Sequence, residues 1–125
     1  MVSAIGGRRL IVILEPDALA GIGCLKSPER QMRLGLISSA VDKLKTNPAA
    51  KVYIDAGHSG WIEPLKIASD LQEANIGRAD GFALNVSNFN SNDESIEYGL
   101  RISNKLGGKH FVIDTSRNGN GSNGE

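Results

Sequence analysis

Four apolar runs in this chain each end on a carboxylate or an amide, and helix-like stretches lie between them. Leu10–Leu14 leads into Glu15-Pro16-Asp17, and Val52-Tyr53-Ile54 into Asp55-Ala56-Gly57-His58. Gly81-Phe82-Ala83-Leu84 ends on Asn85, and Phe111-Val112-Ile113 on Asp114. Continuously apolar runs suit strands buried on both faces, as in a parallel sheet covered by helices. The order predicts an α/β fold of four parallel strands with three connecting helices. Parallel strands all present their C-terminal ends to one edge, where such proteins bind ligands and do chemistry. The side chains of Asp17, Asp55 and Asn85 are therefore expected to share one solvent-accessible cleft.

Ser27-Pro28 reads as a helix start, with serine as N-cap and proline at the first helical position, where its missing N–H costs nothing. Met32, Leu36, Ile37, Ala40, Val41 and Leu44 recur at spacings of three and four. That predicts a helix from about Pro28 to Lys45, stopped by Asn47-Pro48. Pro64 opens a second helix, with Leu65, Ala68 and Leu71 on its inner face and Ile76-Gly77 at its end. The third strand is expected over about residues 80–84. Asn92-Asp93 caps a third helix that turns Ile96, Leu100, Ser103 and Leu106 to the sheet and ends at Gly107-Gly108. The fourth strand runs from His110 to Ile113.

At 125 residues the chain is at most one domain. Gly6-Gly7 closes a short leading segment ahead of Arg8-Arg9. A strand edge needs a neighbour or closure, so four parallel strands form a partial, incomplete β/α barrel more naturally than a finished fold. Residues 1–117 are read as the folded part, and the polar, glycine-rich 118–125 as a truncated loop tail. The two outer strands are expected to expose apolar edges.

Formal charge is balanced at +0, which argues against a nucleic-acid surface, since that needs a basic stripe. No apolar run approaches the roughly 20 residues that span a bilayer. Met1-Val2-Ser3-Ala4-Ile5 has neither the basic start nor the apolar core of a secretory signal, although a processed chain would also lack one. The single cysteine, Cys24, has two readings: a thiol packed as a small hydrophobe, or half of a disulfide whose partner lies outside the chain.

The strand tips carry the chemistry. Glu15-Pro16-Asp17 holds two carboxylates about one turn apart, and crowding of like charge raises at least one pKa, as suits a general acid. An acidic helix start or a solvated loop is the alternative. At Asp55-Ala56-Gly57-His58, small residues let the backbone approach a ligand, and His58 is a hydrogen-bond partner for the ligand or a neighbouring acid. With no second histidine at helical spacing and no further thiol, zinc is not expected, nor any other cofactor. His110, at the opposite edge, is read as structural. Trp61 is either a core residue or a flat platform for the apolar face of a ring.

Asn85 and Asn88 carry amides that can donate to and accept from hydroxyls, or serve the turn itself. Arg117 either neutralises Asp114 or holds another carboxylate. No Gly-x-Gly-x-x-Gly loop follows the first strand, which argues against nucleotides. A polar, carboxylate-rich cleft with one aromatic plate fits a carbohydrate, with acid–base hydrolysis as its chemistry.

Four blocks carry a resemblance across essentially the whole chain. They are Leu14-Glu15-Pro16-Asp17-Ala18-Leu19-Ala20, Tyr53-Ile54-Asp55-Ala56-Gly57-His58-Ser59-Gly60-Trp61, Gly81-Phe82-Ala83-Leu84-Asn85-Val86-Ser87-Asn88-Phe89 and the stretch from Val112 to Gly121. In order and spacing they resemble the core of family 6 glycoside hydrolases, the last block being more like the bacterial endoglucanases. The resemblance implies a distorted β/α barrel, of which residues 1–117 form a partial catalytic domain. It also implies inverting hydrolysis of β-1,4-glucan (cellulose) by a secreted enzyme, monomeric in its full-length form.

By that resemblance Asp17 is the general acid. Asp55 and Asn85 line the catalytic centre and bind sugar, with Asn88 beside them, His58 adjoins it, and Trp61 stacks on a glucosyl ring. Glu15, Asp114 and Arg117 are supporting residues, and Cys24 matches a disulfide cysteine.

Leu84 stands where the family usually has threonine. The family's Arg-Asp-Cys block and its Lys-Pro-x-Gly-Glu-x-Asp-Gly-like block are not in this sequence. The chain is thus expected to be an internal fragment carrying the acid but not the base, and nearly inactive alone. The competing expectations are a non-catalytic carbohydrate-binding α/β domain and a flavodoxin-like domain with acids around a metal.

Overall fold

The computed structural model describes residues 8–122, so the leading segment through Gly6-Gly7 and the last three residues of the expected tail lie outside it. Four strands, β1 (Leu10–Leu14), β2 (Ala50–Asp55), β3 (Gly81–Leu84) and β4 (His110–Ile113), form one open parallel sheet in the order β1-β2-β3-β4. Three helices cross between them: α1 (Ser27–Leu44), α2 (Pro64–Glu73) and α3 (Asn92–Lys105). Sequential order with right-handed crossovers puts every helix on the same face of the sheet. On that face Val52, Ile54, Phe82 and Leu84 are fully buried with Ile37, Val41, Ile67, Leu71 and Ile102. The other face is bare at its sides: Ile11 is 72% exposed, and Ile13 and Val112 each 36%. This is the open arc that the strand count predicts. No helix among the described residues is long and apolar enough to cross a membrane.

α1 and α3 are rotated from their expected faces, whereas α2 keeps Ala68 and Leu71 inward as expected. In α1 the buried residues are Leu34, Ile37 and Val41, whereas Met32 and Leu36 are 67% and 66% exposed. Apolar letters fit three-and-four spacing in two phases on this helix, so the pattern leaves the phase open. In α2, Ile67, Ala68 and Leu71 point inward and Leu65 is exposed. In α3 the inner residues are Ser95, Tyr98, Gly99, Ile102 and Ser103, with Ile96 and Leu100 exposed. Gly99 sets that phase. A Cβ on it would stand 2.4 Å from the Phe111 ring, which itself stacks on Phe82 at 5.3 Å.

The caps also differ. Ser27 is the first residue of α1 rather than its cap, and Lys26 precedes it without a side-chain cap bond. Glu63 caps α2 by accepting from the Leu65 and Lys66 amides at 3.1 and 3.0 Å. Ser91, not Asn92-Asp93, caps α3 in a reciprocal box with Glu94. A 3₁₀ helix, Ala20–Cys24, follows the first strand tip and buries Ala20 and Ile22, an element the apolar spacing does not announce. Cys24 at its end is exposed, so it is not packed as a small hydrophobe.

At the sheet edge opposite the tips, Asp80 accepts from Lys45 Nζ and from the Val52 amide, both at 2.8 Å. Partial burial works to raise the Asp80 pKa, but these two donors and the charge of Lys51 lower it on balance. His110 opens β4 on this same edge and is exposed.

Candidate functional site

The chain leaves β1 at Leu14 and turns back through two left-handed residues, Glu15 (φ 49°) and Asp17 (φ 68°). That region disfavours side chains with a Cβ, by roughly 1–2 kcal/mol per residue. Local bonds stitch the turn: Ala18 N–H donates to the Glu15 carbonyl (3.1 Å), and Gly21 N–H to that of Asp17 (2.9 Å). The long-range tie is the Asp17 N–H, which donates to Asp55 Oδ2 at 3.0 Å. Glu15 and Asp17 themselves are exposed and border a groove of about 590 Å³ that runs onto Leu36 and Ala40 of α1.

Asp55 ends β2 and is 1% exposed. Its Oδ2 also accepts from the Gly57 amide at 3.2 Å, whereas Oδ1 is buried without a hydrogen-bond partner. Burial pushes its pKa up to about 6; the two amides oppose that rise and the charge of Asp17 adds to it. The carboxyl that burial raises is therefore the one that ends β2.

His58 is half-buried, its Nδ1 accepting from the Gly60 amide at 3.2 Å. Burial lowers its pKa, and the nearby charge of Asp17 pulls it back up. The Trp61 ring is 43% exposed, with its centroid 5.7 Å from that of His58. The Trp61 ring lies over Gly57, which is left-handed at φ 77°. A Cβ there would meet Ala20 at 3.0 Å and the Trp61 ring at 3.3 Å, so only glycine fits. Asp17, Asp55, His58 and Trp61 therefore come together at the first two tips. Trp61 is an exposed plate, not a core residue.

The third and fourth tips form a second, adjoining cluster, tied to the first by the Asn85 N–H donating to the Gly57 carbonyl at 2.8 Å. Asn85 does not meet solvent as expected: it is 0% exposed. Its Nδ2 donates to the carbonyls of Asn90 (3.1 Å), Asp114 (3.0 Å) and Asn88 (3.4 Å). Its Oδ1 accepts from the Asn90 backbone and side-chain N–H groups, both at 3.2 Å. Nothing is left over for a hydroxyl. Asn88 Oδ1 likewise serves the turn, accepting from Phe89 N–H at 2.9 Å and Asn90 Nδ2 at 3.2 Å. The cleft shared by Asp17, Asp55 and Asn85 is therefore not what forms. The three are linked through bonds, but only Asp17 reaches solvent.

Asp114 Oδ2 accepts from the Ser87 amide (2.8 Å) and Oδ1 from the Ser116 amide (2.9 Å). The Ser116 side chain and these amides hold its pKa down to about 2, with Arg117 a minor contributor. Arg117 Nη1 instead reaches the Ser87 carbonyl at 3.4 Å, so it braces the loop rather than bridging a carboxylate. Asn90, 6% exposed and central to this knot, was not singled out from the sequence. The alternation Asn85-x-x-Asn88-x-Asn90 was the available signal. Among the described residues no group of three acidic, histidine or cysteine side chains is placed to hold a metal ion.

Similarity to known proteins adds to this geometry. The model of glycosyl hydrolases family 6 matches residues 1–125. Endoglucanase A of Cellulomonas fimi is 51% identical over 116 residues, which is 92% of this chain and 25% of that protein. Endoglucanase 1 of Streptomyces halstedii is 40% identical over 127 residues, 97% of this chain and 40% of that one. The solved endoglucanase Cel6 of Mycobacterium tuberculosis, bound to methyl-cellobiosyl-4-deoxy-4-thio-β-D-cellobioside, superposes with a TM-score of 0.93 at 51% identity, over 96% of this chain and 41% of that one. The chain thus spans between a quarter and about two fifths of the length of these relatives.

Proposed function

The chain belongs to glycosyl hydrolases family 6, and on that premise we propose that it carries the acid-bearing part of a site that hydrolyses β-1,4-glucosidic bonds of cellulose with inversion. The observation that carries the reading is the first tip. There Asp17 is turned left-handed, its N–H is anchored on buried Asp55, and its own carboxyl stays exposed near His58, whose ring neighbours that of Trp61. In this reading Asp17 gives its proton to the glycosidic oxygen as the bond to the anomeric carbon breaks. A water attacks that carbon from the opposite face and loses a proton to a base, and Asp17 is then reprotonated from solvent.

Inversion needs the base carboxylate roughly 6.5–9.5 Å from the acid. Asp55 is buried and Asp114 is held by the Ser87 and Ser116 amides, so the base is assigned outside residues 8–122. Trp61 offers its exposed face to a glucosyl ring, whose axial C–H groups pack on aromatic surface. His58 flanks the cleavage point, and the Asn85–Asp114 knot with Asn88, Asn90 and Arg117 shapes the cleft wall. The named endoglucanases and the thio-cellobioside held by the Mycobacterium tuberculosis relative support the substrate class. Residues 1–117 are taken as part of one catalytic domain. An insoluble polymer cannot enter a cell, so the reading includes action outside it, where the exposed Cys24 is suited to a disulfide with a cysteine beyond this chain.

The test is reducing-end release from soluble cellulose by this chain and by a longer protein that contains it. In the longer protein, D17N is expected to lower kcat at least a hundredfold with glucan binding retained. Unchanged hydrolysis by D17N would remove the assignment and favour a binding-only domain.

A further inference from the structure

We propose that Asp55 is a positioning residue, whose Oδ2 pins the Asp17 backbone N–H and so aims the Asp17 side chain into the cleft. The inference rests on the reading of Asp17 as the proton donor, and it replaces a sugar contact as the task of Asp55.

Four observations converge on it. Asp17 sits in the left-handed region, a conformation uncommon for residues with a Cβ although aspartate tolerates it better than most. Two of the other bonds of its turn are local and a third comes from Arg33 to the Ala18 carbonyl, whereas the link to Asp55 is the one that holds the Asp17 N–H itself, reaches 38 positions along the chain and joins two strand tips. The same Oδ2 takes the Gly57 amide, so the carboxylate is fixed by its own loop before it grips the neighbouring one. That loop packs closely, since a Cβ on left-handed Gly57 would stand 3.0 Å from Ala20 and 3.3 Å from the Trp61 ring.

Burial then separates holding from binding. At 1% exposure, the Asp55 carboxylate has no face to offer a sugar. Its second oxygen is buried with no hydrogen-bond partner, which carries a desolvation cost. A carboxylate kept in such a place is explained by what its satisfied oxygen holds.

Asn and Ala variants separate the acceptor from the charge. D55N keeps a carbonyl oxygen that can take both amides, while D55A removes the acceptor. In the chain itself, amide exchange followed by NMR is expected to show Asp17 N–H protected at least tenfold over an unstructured amide, retained in D55N and lost in D55A. In the active longer protein, D55A is expected to lose about a hundredfold in kcat with KM within threefold, and D55N to regain at least tenfold of that loss.

Equal loss in both variants would overturn the proposal, because charge or a sugar contact would then be the requirement. An unprotected Asp17 amide in the wild-type chain would overturn it as well. Should D55A fail to fold, the D55N exchange rate decides: retained protection supports the clamp, and exposure overturns it. If protection follows expectation while D17N leaves hydrolysis intact, the functional reading falls and the clamp stands.

Discussion

Asn85 Nδ2 donates to the Asp114 carbonyl at 3.0 Å, so a side chain that no solvent reaches ties the third strand tip to the fourth. The carboxylate of the same Asp114 grips the Ser87 amide, closing a loop of bonds between the two tips. Together with the Asp55–Asp17 link, this makes the candidate site a set of loops held by buried polar groups. The groups that solvent can reach, Asp17 and Trp61, stand on that frame.

Removing the knot is expected to be costly. Asn85→Ala leaves the Asn90 and Asp114 carbonyls without their donor in a buried place, and each such orphan costs about 1–3 kcal/mol. The expected loss is about 3 kcal/mol, read from urea denaturation. A loss under about 1 kcal/mol would mean that water replaces the amide freely.

Asp55 should leave a mark on stability against pH. Its pKa is raised from 3.8 to about 6 in the fold, so folding favours the protonated form. The stabilisation is therefore fully present below about pH 4 and lost as pH climbs through about 6, an effect on the order of 3 kcal/mol. Asp55→Asn removes the titration. The variant should be more stable than the wild-type chain at pH 7, with a flatter profile between pH 4 and 7. A parallel pair of profiles would contradict this.

At the opposite edge the sign reverses. The Asp80 pKa is lowered, so its contribution is present above the ordinary carboxylate range and is lost as pH falls through the depressed value. Asp80→Ala leaves the partly buried Lys45 ammonium with the Ala50 carbonyl but no counter-charge from Asp80, and takes the carboxylate acceptor from the Val52 amide. It is expected to cost about 2–3 kcal/mol near neutrality, with a smaller difference in acid, by thermal melts at several pH values.

Gly99 tests the packing of α3 on β4. Alanine normally gains about 1 kcal/mol over glycine inside a helix. Here its Cβ would fall 2.4 Å from a Phe111 ring that is stacked on Phe82, so Gly99→Ala should destabilise by about 1–2 kcal/mol instead. In a Phe111→Leu background the same change should become neutral or favourable, which a double-mutant cycle measures.

The arrangement of strands, the order of elements and the edge that gathers the polar tips follow from local patterns. Continuous apolar runs, Pro64 at a helix start and Gly107-Gly108 at a helix end act within a few residues of themselves, and the four blocks that contain Asp17, Asp55, Asn85 and Asp114 place the family. Which face each helix buries was settled elsewhere, because α1 carries apolar residues in two phases and only Gly99 against Phe111 chooses between phases in α3. Whether Asn85 offers its amide to a sugar or spends it on three carbonyls depends on where residues 88, 90 and 114 come to lie. The grip of Asp55 on the Asp17 amide likewise exists only once two strand tips stand side by side. Such contacts are distances between residues far apart along the chain, and no local spacing of letters encodes them.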